Sequence, residues 1–151
     1  MAAKVLTLSN NEAAGGTYTR LVKIKAEDLV ASAGATDTSE VVTVGVKAGA
    51  VVRGCASILK EDFVNSETAV TSVAVKVGET DDDRFLASTV IGEGTIVDYA
   101  VSPDTTDFAF TAADTIDITI TCAGGSNNYI STLTAGEVWI ALEVVELADI
   151  L

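Results

Sequence analysis

The sequence predicts an all-β protein, a single-domain β-sandwich or jelly roll of about seven to eight antiparallel strands over residues 1–151. Three observations predict this fold. Apolar and polar residues alternate along most of the chain, and β-branched residues dominate the alternating segments. Clusters of Gly, Asn, Asp, Ser and Thr separate these segments at fairly regular spacing. A chain of this length can bury one hydrophobic core without disulfide or metal crosslinks.

Candidate strands follow one another along the whole chain. Their ranges are 5–8, 18–25, 40–46, 51–63, 67–78, 95–101, 107–111, 115–122 and 137–147. The clearest alternation places Val73, Val75 and Val77 on one face of a strand. In the fourth candidate, Val52, Ala56 and Ile58 are expected to share the inner face. The strand directions themselves depend on pairing that the sequence does not specify.

Only two segments have helical character, and neither is long enough to carry a fold. Ala26 to Ala33 could form one or two turns, and Asp83 to Ser88 could form a single turn that begins with acidic residues. Residues 1–16 are polar and Gly-rich around a short first strand. They are interpreted as a flexible N-terminal arm on the β domain.

The charge is strongly negative and unevenly distributed. The chain carries 22 acidic and 9 basic residues, a net charge of −13. All the bases and twelve of the acids lie in residues 1–84, whereas residues 85–151 carry ten acids and no base. Nucleic-acid binding needs Lys and Arg at the phosphates, so no nucleic-acid partner is expected. A basic protein surface or a divalent cation is the favoured partner for so acidic a chain.

Composition also argues against a membrane protein and against an enzyme. The uncharged stretch 118–136 is interrupted by Gly, Asn and Thr, and no run of secretory length opens the chain. The sequence contains no His, which removes the commonest general base and metal ligand. Cys55 and Cys122 are expected to be buried thiols, although a disulfide between them stays open.

An acidic run, with Glu79, Asp81, Asp82 and Asp83 at the end of a strand, is the densest group of ionisable residues. Clustered carboxylates can supply the oxygen ligands that calcium prefers, so calcium is the one cofactor that the sequence suggests. The run does not have the spacing of an EF-hand loop. A solvated acidic loop, or an acidic patch that docks on a basic partner, explains the same residues.

Two aromatic residues are candidates for an interface. Trp139 lies on the less apolar face of the last strand, beside Glu137 and Glu143. It is predicted to be buried either in a second core layer or between subunits. Tyr129 follows the Gly- and Asn-rich segment 123–128, a long turn that could contribute to a contact surface.

Three segments together resemble the small structural proteins of tailed bacteriophages, in particular head decoration (cement) proteins. The first is Val73 to Ala87, where Val-Ala-Val-Lys-Val-Gly leads through the acidic run to Asp-Arg-Phe-Leu-Ala. The second is Leu133 to Val138, where Thr-Ala-Gly-Glu-Val opens the long final strand. The third is Val22 to Leu29, and the Thr115 to Cys122 strand fits the same pattern. The resemblance extends over most of the chain from residue 20 onward.

The resemblance implies a non-enzymatic protein of the virion, made in the host cytoplasm and placed on the outer surface of the phage head. Such proteins are often trimers, they bind the major capsid protein, and they reinforce the shell against internal DNA pressure. The resemblance implies no catalytic residue. Lys23, Lys25 and Lys47 lie in the more balanced first half and are predicted to contact the shell.

Two readings from other classes stay open. One is a tail- or fibre-associated recognition module that binds host glycan or protein, for which an exposed aromatic-lined pocket would be the distinguishing feature. The other is a small β-sandwich enzyme or carbohydrate-binding module of cellular origin. Aromatic residues make up only 5 % of the chain, which leaves little material for a sugar-binding pocket.

Overall fold

The computed structural model describes residues 4–7, 18–65, 69–91, 96–100 and 107–146. Ten strands and two short helices form within these ranges. The strands are β1 (Lys4–Thr7), β2 (Arg20–Lys25), β3 (Ser39–Val46), β4 (Ala50–Asn65), β5 (Val70–Gly78), β6 (Leu86–Ile91), β7 (Ile96–Ala100), β8 (Phe108–Ala109), β9 (Asp114–Gly124) and β10 (Leu133–Glu146). The helices are α1 (Ala26–Ser32) and a 3-10 turn (Ile130–Thr132).

The strand pairing confirms the predicted jelly roll. The early strands pair antiparallel with the late ones in reverse order: β2 with β10, β3 with β9, β4 with β7, and β5 with β6. One sheet has the order β1-β2-β10-β4-β7, with β8 also on β4, and the other has the order β3-β9-β5-β6. The chain is thus a long antiparallel ribbon rolled into two facing sheets, as in other jelly rolls.

One hydrophobic core fills the space between the two sheets. The predicted alternation is confirmed on the central strands, because Val75, Val77, Ile118, Ile140 and Leu142 are all fully buried. α1 closes one end of the sandwich, where Leu29 is fully buried. Asp28 accepts a hydrogen bond of 3.0 Å from the backbone N–H of Lys25 and so fixes the start of this helix. No helix in the described ranges is long and apolar enough to cross a membrane.

The predicted inner face of β4 is wrong beyond Arg53. Glu143 of β10 pairs with Gly54, but the next residue, Val144, pairs with Val52, so β4 has a bulge at Arg53. The extra residue reverses the alternation. Cys55 and Leu59 therefore enter the core in place of Ala56 and Ile58, which face outward.

The predicted helical turn at Asp83 to Ser88 is also wrong. The backbone N–H of Arg84 bonds the carbonyl of Asp81 at 3.2 Å, and the N–H of Phe85 bonds the carbonyl of Val77 at 2.8 Å. A tight turn therefore returns the chain directly into β6, which the sequence did not predict as a strand. Tertiary burial explains this outcome, since Phe85 and Leu86 are both buried in the core.

Of the predicted N-terminal arm, Lys4–Thr7 forms β1, which pairs with β2 at the edge of the sheet. The other residues of 1–16 lie outside the described residues.

The two cysteines are buried and are not joined by a disulfide. Cys55 belongs to one sheet and Cys122 to the other. Burial raises the pKa of the Cys122 thiol to about 11. At pH 8 the reactive thiolate of Cys122 is therefore only about one part in a thousand.

We expect the native protein to resist a thiol-labelling reagent at pH 8 and to react at both cysteines once it is unfolded in guanidinium. Burial excludes the reagent, and the raised pKa suppresses the nucleophile. Mass spectrometry after timed labelling measures the two rates. Rapid labelling of Cys122 under native conditions would contradict the buried position.

Candidate interaction surface

Trp139 lies on the outer face of the larger sheet, in the middle of β10. Its chain neighbours Val138 and Ile140 are fully buried, so the alternation of the strand turns the indole away from the core. In the register of the sheet, Trp139 stands between Lys23 of β2 and Ile58 of β4. The side chain is half-buried there. It is not part of a second core layer within the described residues.

Two lysines approach the indole ring from the strands on either side. The Nζ atom of Lys23 lies 4.3 Å from the ring centroid, and that of Lys60 lies 4.8 Å from it. Both distances are within the range of cation–π attraction. The indole N–H donates a hydrogen bond to the carboxylate of Glu137. Lys23, Lys60 and Trp139 are called the Trp139 patch below.

The lysines of the patch have no carboxylate partner among the residues that the structure describes, and the same is true of Lys25. Other bases do have such partners. The ion pairs are Arg20 and Lys47 with Glu146, Arg53 with Asp107 and Glu143, Lys76 with Asp82, and Arg84 with Glu79 and Asp81. In a chain with a net charge of −13, the Trp139 patch therefore holds two lysines without an ion pair, beside the single carboxylate of Glu137 on the indole.

Apolar side chains continue the outer face beside the patch. Leu21, Ala141 and Ala56 form one cross-strand row, and Ile58 lies next to Trp139. Leu21, Ala141 and Ile58 are half-buried although they point away from the core, and Ala56 is 8 % exposed. An aromatic residue surrounded by small apolar groups and a rim of charge has the composition of a protein–protein contact.

The other predicted interface residues fall in different places. Lys25 shares the outer face with Lys23 and is exposed. Lys47 follows β3 in the opposite sheet, where its Nζ atom lies 3.4 Å from the Glu146 carboxylate. Tyr129 is half-buried in the loop before the 3-10 turn, with no described contact to the patch. The structure therefore brings Lys23 together with Trp139 but separates Lys47 and Tyr129 from them. Their roles at an interface stay predictions.

Lys60 is the residue of the patch that the sequence analysis did not single out. Its position depends on the bulges of β4, including the register shift between Leu59 and Glu61. No local sequence pattern marks a bulge of this kind. The only feature of the sequence that could have identified Lys60 is that it is a lysine beside acidic residues at the polar end of a strand.

The acidic run forms a closed loop between β5 and β6. The chain folds so tightly over Gly78 that a Cβ atom there would lie 2.1 Å from the Asp81 carbonyl oxygen. The Nε atom of Arg84 lies 2.6 Å from Oε1 of Glu79, and the Arg84 guanidinium stacks 4.7 Å from the ring of Phe108. Asp83 is exposed and has no ion-pair partner in the described ranges.

No group of three or more acidic or cysteine side chains in the described residues is arranged to hold a metal ion. Glu79 and Asp81 form ion pairs with Arg84, and Asp82 forms one with Lys76. Three of the four carboxylates are therefore already paired with a basic side chain. Calcium binding at Glu79, Asp81, Asp82 and Asp83 stays a prediction.

The ion pair with Arg84 gives the acidic loop a pH dependence. Burial acts to raise the pKa of Glu79, but the hydrogen bonds from Arg84 and Thr80 outweigh it and lower that pKa below its usual value of 4.5. A carboxyl whose pKa falls on folding contributes stability above its unfolded pKa. That contribution is lost as the pH falls through the folded pKa.

We expect Glu79→Gln to destabilise the protein by about 1 kcal/mol at pH 7, because Arg84 loses a charged partner. The difference from the wild type should shrink as the pH falls through the lowered pKa of folded Glu79, because Glu79 itself then becomes protonated. Urea unfolding at a series of pH values measures both effects. Asp83→Asn is the control, since Asp83 is exposed and unpaired in the described structure. A Glu79→Gln effect that does not change with pH would contradict the ion pair.

A groove of about 690 Å³ opens between β3 and the strands β1, β2 and β10. Aliphatic and polar side chains line it in the described part of the chain. Val5, Val44 and Val144 are the aliphatic ones, and Arg20 and Glu146 are charged. No aromatic residue lines it in the described part of the chain. The groove therefore lacks the stacking surface that sugar-binding sites generally have.

No known protein family and no curated protein matches this chain.

Proposed function

We propose that this protein is a non-enzymatic structural component of a phage virion, a decoration protein that binds the major capsid protein on the outside of the head and stabilises the shell. The observation that carries the proposal is the sequence resemblance of three segments to head decoration proteins. In the fold these segments are core strand β5 with the acidic loop, the start of β10, and β2 with α1. All three are constrained parts of the fold, and none is a surface tail.

The jelly roll supports this proposal only by association. Jelly rolls recur in viral capsid proteins, but they also occur in lectins and enzymes. A two-sheet core in which the central residues of both sheets are fully buried suits a protein that must withstand mechanical load. The predicted homotrimer and the virion location belong to the same proposal.

The decisive experiment locates the protein on purified particles by cryo-electron microscopy. The expected result is density repeated across the outer surface of the head. Density confined to the tail would overturn the proposal and favour the recognition module, and absence from particles would exclude both. Imaging after calcium chelation tests the metal prediction separately, because loss of the density only after chelation would indicate a calcium-dependent contact.

We further expect particles that lack this protein to release their DNA at a lower temperature than decorated particles. A protein that binds across neighbouring shell subunits stabilises the closed shell by its own binding free energy. Dye binding to released DNA during a temperature ramp measures the difference, and adding back purified protein is the control. Identical release temperatures would contradict a stabilising role.

A further inference from the structure

We propose that the Trp139 patch is a contact between copies of this chain, in which it binds the acidic loop, residues 79–83, of a neighbouring copy. This inference goes beyond the decoration function, because it names a self-contact that forms whether or not a shell is present.

Charge complementarity identifies the occupant. The patch presents two ammonium groups, of Lys23 and Lys60, that lack a carboxylate within the described chain. The acidic loop carries four carboxylates, of which Lys76 and Arg84 neutralise two in charge, so the loop keeps an excess of about two negative charges. The patch therefore carries a net positive charge, even with the Glu137 carboxylate on the indole, and the loop carries a net negative charge.

The two surfaces cannot meet within one chain. Arg84 anchors the loop on Phe108, and Phe108 pairs with Val52 of β4. Trp139 stands beside Ile58, six residues further along the same strand, which is roughly 20 Å at the rise of an extended chain. The loop also follows a strand of the smaller sheet, whereas the patch lies on the outer face of the larger one. Contact between them therefore requires a second copy.

The net negative charge of each chain does not prevent this contact, because dissolved salt screens the repulsion between two copies. At physiological ionic strength, charges more than about 8 Å apart are largely screened, so the repulsion between two acidic chains is weak while close pairs persist. Trp139 supplies a half-buried aromatic surface at the centre of the contact, where tryptophan contributes most. Because patch and loop are different surfaces, repetition of the contact can close a ring. A ring of three would be the homotrimer that the sequence resemblance implies.

Complementary charge reversals test the contact on the purified full-length protein. Lys23→Glu with Lys60→Glu reverses the charge of the patch lysines, and Asp81→Lys with Asp83→Lys reverses two of the three exposed acids of the loop. Sedimentation velocity should show an oligomer for the wild type and an association constant at least about 30-fold weaker for each double variant. An equimolar mixture of the two double variants should recover association between unlike variants, as pairs and not as rings of three, since the reversed patch of one attracts the reversed loop of the other.

The single tryptophan of the chain gives an independent readout. Burial of Trp139 in the contact should shift its emission to shorter wavelength as the wild-type concentration rises, while the Lys23→Glu, Lys60→Glu variant should show no shift. Glu27→Lys and Thr43→Glu serve as controls, because both positions are exposed on other elements. These controls should keep the wild-type mass and emission.

Three results would overturn the inference. They are a monomeric wild type, an unchanged oligomer mass for Lys23→Glu with Lys60→Glu, and a mixture of folded double variants that stays monomeric. Circular dichroism establishes that each variant is folded. The assay contains no virus particles, so a monomer that still decorates heads would overturn this contact and the homotrimer but leave the decoration function standing. An oligomer that binds no phage head would support this contact and overturn the decoration function.

Discussion

Replacing Gly136 by alanine is expected to lower the free energy of unfolding by about 2–5 kcal/mol. Gly136 lies opposite a bulge of β4, because one residue of β10 separates Ala135 from Glu137 while two residues of β4 separate their partners Val64 and Glu61. Its φ of +140° lies in a region that residues with a side chain rarely adopt.

Space is as restrictive as the backbone angle at this position. A Cβ atom on Gly136 would lie 2.2 Å from Cδ1 of Phe63 and 2.8 Å from the Cα atom of the same residue. The ring of Phe63 could move only by leaving the core, where it is 5 % exposed, and the backbone of β4 could move only by breaking its pairing. Strain and overpacking therefore add.

Urea unfolding monitored by circular dichroism measures the loss. Gly45→Ala is the matched control, because Gly45 also lies in a strand, has an ordinary φ and has no atom within 4 Å of the added Cβ. That variant should be as stable as the wild type or slightly more stable, by about 0.5 kcal/mol. A Gly136→Ala protein within that margin of the wild type would show that the bulge tolerates a side chain.

Asn65→Ala is expected to cost about 2–4 kcal/mol, since it removes the most connected buried polar side chain described. Asn65 is 5 % exposed at the end of β4. Its amide nitrogen donates to the carbonyl of Asn127 at 3.1 Å and to Oγ1 of Thr132 at 3.0 Å. Its amide oxygen accepts from the backbone N–H of Ala69 at 2.9 Å and of Val70 at 3.4 Å.

This side chain uses its whole hydrogen-bonding capacity to join three separate segments. Alanine would leave several of those buried groups without a partner, and a buried group without a partner costs more than an ordinary hydrogen bond contributes. Asn128→Ala is the control, because the Asn128 amide makes one described bond, of 3.2 Å to the Cys122 carbonyl, and is half-buried. It should cost about 1 kcal/mol. Equal losses for the two variants in urea unfolding would refute the connecting role of Asn65.

The residues at Gly136 and Asn65 illustrate what the sequence could not predict. Both positions look ordinary in the sequence: a glycine after a turn and an asparagine at a strand end. Gly136 is required because a distant ring, Phe63, occupies the space of its side chain. Asn65 is required because the stretch with Asn127 and Thr132, 62 and 67 residues away in the chain, meets the start of β5 at this place.

The Trp139 patch likewise has one feature that the sequence predicted and one that only strand pairing determines. The alternation along β10 predicted that Trp139 faces away from the apolar side of its strand, and this is confirmed. The neighbours of Trp139 depend on which strands flank β10 and in which register. Lys60 reaches the indole only because β4 is its neighbour and is bulged.

The sequence by itself determined the all-β class, the inner faces of the regular strands and the short helix at Ala26, because alternation and helix signals act over a few adjacent residues. Only the tertiary structure decided the phase of β4 beyond Arg53, the strand that replaces the predicted turn at Asp83 to Ser88, and the meeting of Lys23, Lys60 and Trp139. These features depend on pairing between strands far apart in the chain, and one inserted residue in such a pairing turns every following side chain to the opposite face.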